Sequence, residues 1–394
     1  MSPETGRPPV VLVAPDKFKG SLTAGQVAQH LTEGLHEADP ESEVRVLPLA
    51  DGGDGSVAAA LAAGYRPVTV PVTGPTGEPA TTTIAFDGTT AVVEVATTCG
   101  LQMLQAGSLA PLTSSSVGFG QAIRAALEQG PARIVLALGG SATTDGGAGM
   151  LSALGVVFTD RSGRPFTPSG ATLDWIADVD LTGLVDLEGV ELIAANDVDN
   201  PLLGPAGAAA VYAPQKGAGP DDVEVLEAGL GALILRLREA GWPADEAAGV
   251  PGAGAAGGLG YAAMLLGARM VSGAGFFLDL LDFDHHAAGC DLVITGEGKL
   301  DTQTLAGKLP LVVAHRAAPV PVIAVVGHNA LDTDHLPTHG IEQVYALSAM
   351  TDQESATDPE LSATLLRETG RRISHALARA MDGVIEYAMP PIHH

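Results

Sequence analysis

VVLVAPDKFKGSLTAGQVAQHLTEGLHE, residues Val10 to Glu37, carries a strand, a charged turn and a helix in one short run. Val10 to Ala14 is apolar without alternation, the pattern of a strand buried on both faces of a parallel sheet. Thr23 stands three residues before Gln26, which predicts a capping box and a helix to about Glu37. Between them lie Asp16, Lys17 and Lys19, directly after the strand. In open parallel sheets ligands bind at that edge. This places the three charged residues as functional candidates, with a plain Lys–Asp16 ion pair as the simpler alternative for one lysine.

The same βα rhythm continues outward. Val44 to Pro48 reads as a strand, followed by the loop ADGGDGS and an Ala-rich helix. Pro67 to Val95 changes texture to β-branched runs broken by Gly and Pro, which suggests an antiparallel section. Alternation resumes with a strand at Ile134 to Leu138, the loop GGSATTDGGAG and a helix from about Met150. Further strands are expected at Leu192 to Ala195, Leu292 to Thr295, Val322 to Val326 and Gln343 to Leu347, then an amphipathic helix at Pro359 to Met381. The fold class is α/β. Both chain ends share one style, so the expected arrangement is a discontinuous doubly wound domain from residues 1–65 and 285–394, with a second α/β domain, 66–284, inserted. Two consecutive domains split near Pro220 are the alternative.

The chain has 394 residues, 46% of them hydrophobic, and two cysteines, Cys99 and Cys290. With a mean hydropathy of +0.25, wholesale disorder is excluded. Two isolated cysteines fit a reducing compartment and argue against a disulfide framework or a zinc ribbon. Val10 to Ala14 is too short for a signal or membrane span, which makes the cytoplasm the default location. A net charge of −26 excludes nucleic-acid binding, which needs a basic stripe. It does not exclude anionic substrates, because physiological salt screens remote carboxylates beyond about 8 Å. The lysines bear on this point. There are only five: Lys17, Lys19, Lys216, Lys299 and Lys308. All sit in Gly- and Asp-rich segments, whereas the arginines are scattered. An ammonium on a flexible stem is a movable point charge for phosphate or carboxylate, so the clustering points to an anion-handling site.

Six segments concentrate Gly with polar and charged residues: APDKFKGSLTA, LADGGDGS, GGSATTDGGAG, ANDVDNPLLGPAGAAAVYAPQKGAG, GAGAAGGLG and TGEGKLDTQTLAGK. In GGSATTDGGAG, Gly139, Gly140 and Gly146 let the backbone approach an anion, Ser141, Thr143 and Thr144 supply hydroxyl donors, and Asp145 can hold a metal. No Lys follows at the P-loop position. GAGAAGG from Gly252 matches a dinucleotide fingerprint, but Pro251 rather than a strand precedes it, and a tightly packed helix entry is the better reading. Glu297 and Asp301 lie four apart around an expected strand-to-helix turn and can hold Mg²⁺ through water. The alternative is Asp301 as helix cap and Glu297 solvated. Asp51 and Asp54 are turn-formers or functional carboxylates. Asn196, Asp197 and Asn200 form a turn that a plain Asx motif also explains. The histidines show no zinc spacing, and no GxSxG supports a hydrolase triad.

Taken together, APDKFKGSL at Ala14, DGGDG at Asp51, GGSATTDGG at Gly139, NPLLG–GAA–PQKGA from Asn200 to Gly217 and TGEG–LD–QT–GK from Thr295 to Lys308 resemble the bacterial glycerate kinase family over nearly the whole chain. The main departures are an acidic stretch at Asp332 to Pro359 and a longer tail, neither touching a motif. The resemblance implies a flavodoxin-like domain from both chain ends with an inserted α/β domain. It implies ATP-dependent phosphorylation of D-glycerate, usually to 2-phosphoglycerate, with ligands meeting in the cleft between the domains. On that basis Lys17, Lys19 and Lys216 are expected to neutralise phosphate or carboxylate, and Asp16 or Asp51 to accept the hydroxyl proton. Gly139 to Gly147, Asn200, Gln215, Gln303 and Lys308 would bind substrate or phosphate. Glu297 and Asp301, with Asp197 and Asp145 in reserve, would organise Mg²⁺. The expected partners are the small molecules D-glycerate and ATP, with a homodimer left open. A kinase for another small hydroxy acid and an inactive nucleotide-binding regulator are the competing readings.

Overall fold

A computed structural model describes residues 7–105, 107–302, 304 and 308–381. Its strands are, in chain order, β1 (Val10–Pro15), β2 (Glu43–Val46), β3 (Arg66–Thr73), β4 (Pro79–Phe86), β5 (Thr90–Glu94), β6 (Arg133–Ala137), β7 (Val157–Thr159), β8 (Pro165–Phe166), β9 (Asp178–Asp180), β10 (Glu191–Ala195), β11 (Arg269–Val271), β12 (Leu292–Leu300), β13 (Val322–Asn329) and β14 (Ile341–Ala346). The chain divides into two compact units, one formed up to Ala50 and again from Leu278, the other by Asp51–Phe277.

The first unit is built on a five-stranded sheet in the order β14-β13-β12-β1-β2, parallel throughout. Renumbered within the unit this is 2-1-3-4-5, the flavodoxin-like order, whose switch point lies between β1 and β12. β1 is buried along its whole length, as a continuous apolar run requires. The predicted capping box forms: Gln26 N–H donates to Thr23 Oγ1, and Thr23 N–H donates to Gln26 Oε1. The helix it opens, Ala24–Ala38, packs on the long helix Pro359–Met381. Gly34 and Gly370 let the two backbones touch where they cross.

One prediction fails here. The strand expected to stop at Thr295 runs on to Leu300, pairing Glu297 with Val326 and Lys299 with His328. No helix follows at Asp301; the next among the described residues is Leu309–Ala317. Gly296 and Gly298 look like turn signals, but here they serve close approach inside a sheet. A Cβ on Gly298 would lie 3.1 Å from Lys19 N, and one on Gly296 would press on Val325 O.

The second unit has a six-stranded mixed sheet, β11-β10-β6-β5-β4-β3. Its β11, β10, β6 and β5 run parallel, while β4 and β3 complete it antiparallel, as the texture of Pro67 to Val95 suggests. A small antiparallel sheet, β8-β7-β9, packs on the same unit through Phe158, which belongs to its apolar core with Phe119, Leu136 and Tyr261. No described helix is long and apolar enough to cross a membrane.

Candidate active site

The charged motifs fall into two groups, each at the carboxyl edge of its own unit's parallel strands. In the first unit, β1 ends in Pro15 and the chain turns through Asp16, whose N–H donates to Gly296 O at 2.9 Å. Asp16 is nearly buried. Its Oδ1 accepts the Lys17 N–H at 2.7 Å, and the Lys17 ammonium lies 3.4 Å from both carboxylate oxygens. Lys19 follows beside Gly298. Across the switch point, Glu297 accepts the Thr304 hydroxyl at 2.6 Å on Oε1, and Asp301 N–H donates to the same hydroxyl at 3.2 Å. Thr304 thus draws Glu297 and Asp301 to one place, although no helix turn does so. Lys299 forms an exposed ion pair with Asp301 at 3.4 Å. Lys308 caps the helix Leu309–Ala317, and its N–H donates to Thr304 O. Gln303 lies outside the described residues.

In the second unit four of the Gly-rich segments converge at the ends of β6 and β10. Gly139 abuts Gly53, and Gly52 abuts Ala195 O, so the loops at Asp51 and Gly139 touch backbone to backbone. Asp51 Oδ1 accepts the Gly53 N–H at 3.0 Å, an Asx turn; Asp54 accepts from Gln102. The 139–147 loop is stapled on two sides: Ala142 N–H donates to Cys99 O at 2.9 Å, and Gly146 N–H to Gly257 O at 3.0 Å. Gly257 comes from GAGAAGG, where Ala256, Gly257 and Gly258 take left-handed backbone angles and lie flat on the loop. The Thr143 and Thr144 hydroxyls are buried without a hydrogen-bond partner.

Two expected roles change. Asp145, placed in reserve for a metal, faces inward and is fully buried. Its Oδ2 accepts from Ser116 N–H at 2.7 Å, Ser116 Oγ at 2.8 Å and Gly149 N–H at 3.3 Å, while Oδ1 accepts from Gly147 N–H at 3.1 Å. Burial lifts its pKa above the usual range even against these bonds. A carboxylate whose acceptors are filled by loop donors holds the loop rather than a metal. Lys216, expected to meet phosphate directly, is only 2% exposed. Its ammonium donates to Ser141 Oγ at 2.8 Å and to Thr143 O at 2.5 Å.

Asp197 lies open on one side. Its Oδ1 accepts from Ser272 Oγ at 2.9 Å and Gly273 N–H at 2.8 Å, and Oδ2 from Ala274 N–H at 3.2 Å. Desolvation raises its pKa, and the charge of Asp51 adds to that against these bonds. Asn200 donates to Ala206 O and accepts the Tyr212 hydroxyl, which makes it a turn anchor as well as a binding candidate. Gln215 is exposed. Sequence reasoning missed Glu94, buried at the end of β5 and accepting Val57 N–H at 3.0 Å, and Ser116, the anchor of Asp145. Glu94 left a signal, a lone charge inside AVVEVA; Ser116, in a plain TSSS run, left none.

Parallel sheets with Gly-rich, hydroxyl-bearing and lysine-bearing turns at their carboxyl edges define an α/β enzyme for small anionic substrates. Comparison with known proteins makes this specific. The model of the glycerate kinase family matches residues 11–378. The chain is 40% identical over 344 residues to a glycerate kinase of Bacillus subtilis (strain 168), covering 86% of this chain and 90% of that one. It is 39% identical over 344 residues to a glycerate 2-kinase of Escherichia coli (strain K12), with the same coverage. A crystal structure assigned to glycerate kinase 2 of Salmonella typhimurium LT2 superposes with a TM-score of 0.77 at 35% identity, over 95% of this chain and 100% of that one. The chain belongs to the glycerate kinase family. It is a kinase that phosphorylates glycerate with ATP as co-substrate.

Proposed function

We propose that the chain transfers the γ-phosphoryl group of ATP to the 2-hydroxyl of D-glycerate, giving 2-phospho-D-glycerate. The charged switch point of the first unit carries this reading: Asp16 paired with Lys17, facing the β12 turn that holds Glu297 and Asp301. The 2-position is supported by the name of the Escherichia coli relative.

Phosphoryl transfer asks for positioning and charge neutralisation more than covalent chemistry. Lys17 and Lys19 neutralise phosphate or carboxylate charge. The loop from Gly139 to Gly147 receives phosphate oxygens, and Asn200 and Gln215 line the same edge. A carboxylate, Asp16 or Asp51, accepts the hydroxyl proton as the O–P bond forms and ADP leaves. For Mg²⁺, the described residues hold no cluster of three or more metal-ligating side chains. Such sites need only one or two carboxylates with substrate oxygens and water, so Glu297 and Asp301, drawn together by Thr304, fit one. Mg²⁺ bound there would neutralise developing phosphate charge.

A phosphorus NMR spectrum of the product from D-glycerate, ATP and Mg²⁺ tests the proposal. A resonance coupled to the single C2 proton is expected; coupling to the two C3 protons would overturn the regiochemistry. Absence of glycerate-dependent ADP release by folded protein would overturn the reading altogether.

A further inference from the structure

We propose that Lys216 is a positioning residue that sets the polarity of the 139–147 loop: its buried ammonium covers the Thr143 carbonyl and turns the Ser141 hydroxyl into an outward donor. The inference rests on that loop receiving phosphate, as argued above.

The chemistry follows from what an ammonium can do. It has donors and no acceptor. A hydroxyl that accepts from it at 2.8 Å, as Ser141 Oγ does, must send its own hydrogen elsewhere. Ser141 sits at the rim of the loop and is 4% exposed, so an anion on the loop is its acceptor. The second bond, 2.5 Å to Thr143 O, covers a carbonyl that would otherwise repel an anion. The arrangement is held from outside the loop. Lys216 ends the turn Pro214–Lys216, its N–H bonded to Ala213 O at 2.9 Å, and Gly257 presses on the far side of the Thr143 carbonyl. The titratable groups facing the ammonium are Cys99, from the helix Ala96–Cys99, and Asp145 of the loop.

Burial of a charge is costly, so a lysine is kept there for what the charge does. Desolvation brings the Lys216 pKa down to about 8, with Cys99 and Asp145 opposing. The folded pKa lies below the unfolded value. The contribution of Lys216 to stability therefore rises with pH from about 8 towards the unfolded value, as the buried charge is relieved. The loop's affinity for an anion falls over the same range. A merely structural lysine gives the first trend without the second.

The test uses the full chain with ATP and glycerate varied separately, comparing wild type with Lys216→Met. The expected result is a loss of at least tenfold in kcat/KM for ATP at pH 7, with the KM for glycerate within twofold. In wild type kcat/KM for ATP falls as pH rises through about 8, and in the variant that limb is absent. A change confined to the glycerate KM would keep the role of Lys216 but overturn the assignment of the loop to nucleotide phosphate. Unchanged constants for both substrates, or a retained limb, would overturn the role itself. Should the variant not fold, carbon-13 NMR of the five lysine Cε positions in wild type decides the matter. One lysine is expected to titrate near 8 and to shift upward when ADP binds. No such lysine, or one indifferent to ADP, would refute the proposal.

Discussion

Replacing Gly257 with Ala perturbs the 139–147 loop from the side opposite Lys216, and its effect can be worked from the geometry. Gly257 has φ +73°, a conformation costing an L residue about 1–2 kcal/mol. Its new Cβ would lie 2.8 Å from Thr143 C and 2.9 Å from Thr144 Cα, and nearer still to Thr143 O, where ordinary contact starts near 3.4 Å. Backbone must give way, because no flexible side chain stands there. Overpacking of that kind costs about 1–3 kcal/mol, so the sum is about 2–5 kcal/mol. The atom displaced is the carbonyl that accepts from Lys216. A shift approaching 1 Å in a substrate-positioning loop lowers kcat/KM by about 10²-fold. Gly241→Ala is the control: φ is +96° with nothing within 4 Å of the new Cβ, so it carries backbone strain alone. Urea denaturation and a coupled ADP-release assay on both variants read the two effects. Gly257→Ala matching Gly241→Ala in stability, with kcat/KM within twofold of wild type, would refute the account of the loop.

Asp301→Asn should preserve the melting temperature while lowering activity and raising the Mg²⁺ requirement, since an amide is a poorer Mg²⁺ partner than a carboxylate; an unchanged Mg²⁺ titration would move the metal elsewhere, with Asp197 next in line. Lys17→Ala should lower kcat/KM at least tenfold, about 1.4 kcal/mol of transition-state stabilisation, and near-normal kinetics would return Lys17 to a plain partner of Asp16. Gly34→Ala should destabilise the first unit by about 1–3 kcal/mol, because its Cβ would meet Arg367 C at 2.8 Å in the facing helix. A denaturation midpoint at or above wild type would show that the helix pair slides apart without cost.

The strands, the Thr23–Gln26 cap and the anion-handling loops were legible in the sequence because each depends on neighbours within a few residues. Periodicity, capping and glycine turns are local physics. Even there the reading of TGEGK went wrong, since whether Gly296 and Gly298 end a strand or let one pass close to Val325 and Lys19 depends on what lies alongside. The inward turn of Asp145 depends on Ser116, 29 residues away, and the burial of Lys216 on Ser141, 75 residues away. A charged residue in a Gly-rich loop looks the same in sequence whether it faces a ligand or the interior. Local sequence marked where charge gathers, and tertiary packing decided which charges meet a substrate and which hold the loop that does, because desolvation and hydrogen-bond partners exist only once distant segments have closed around them.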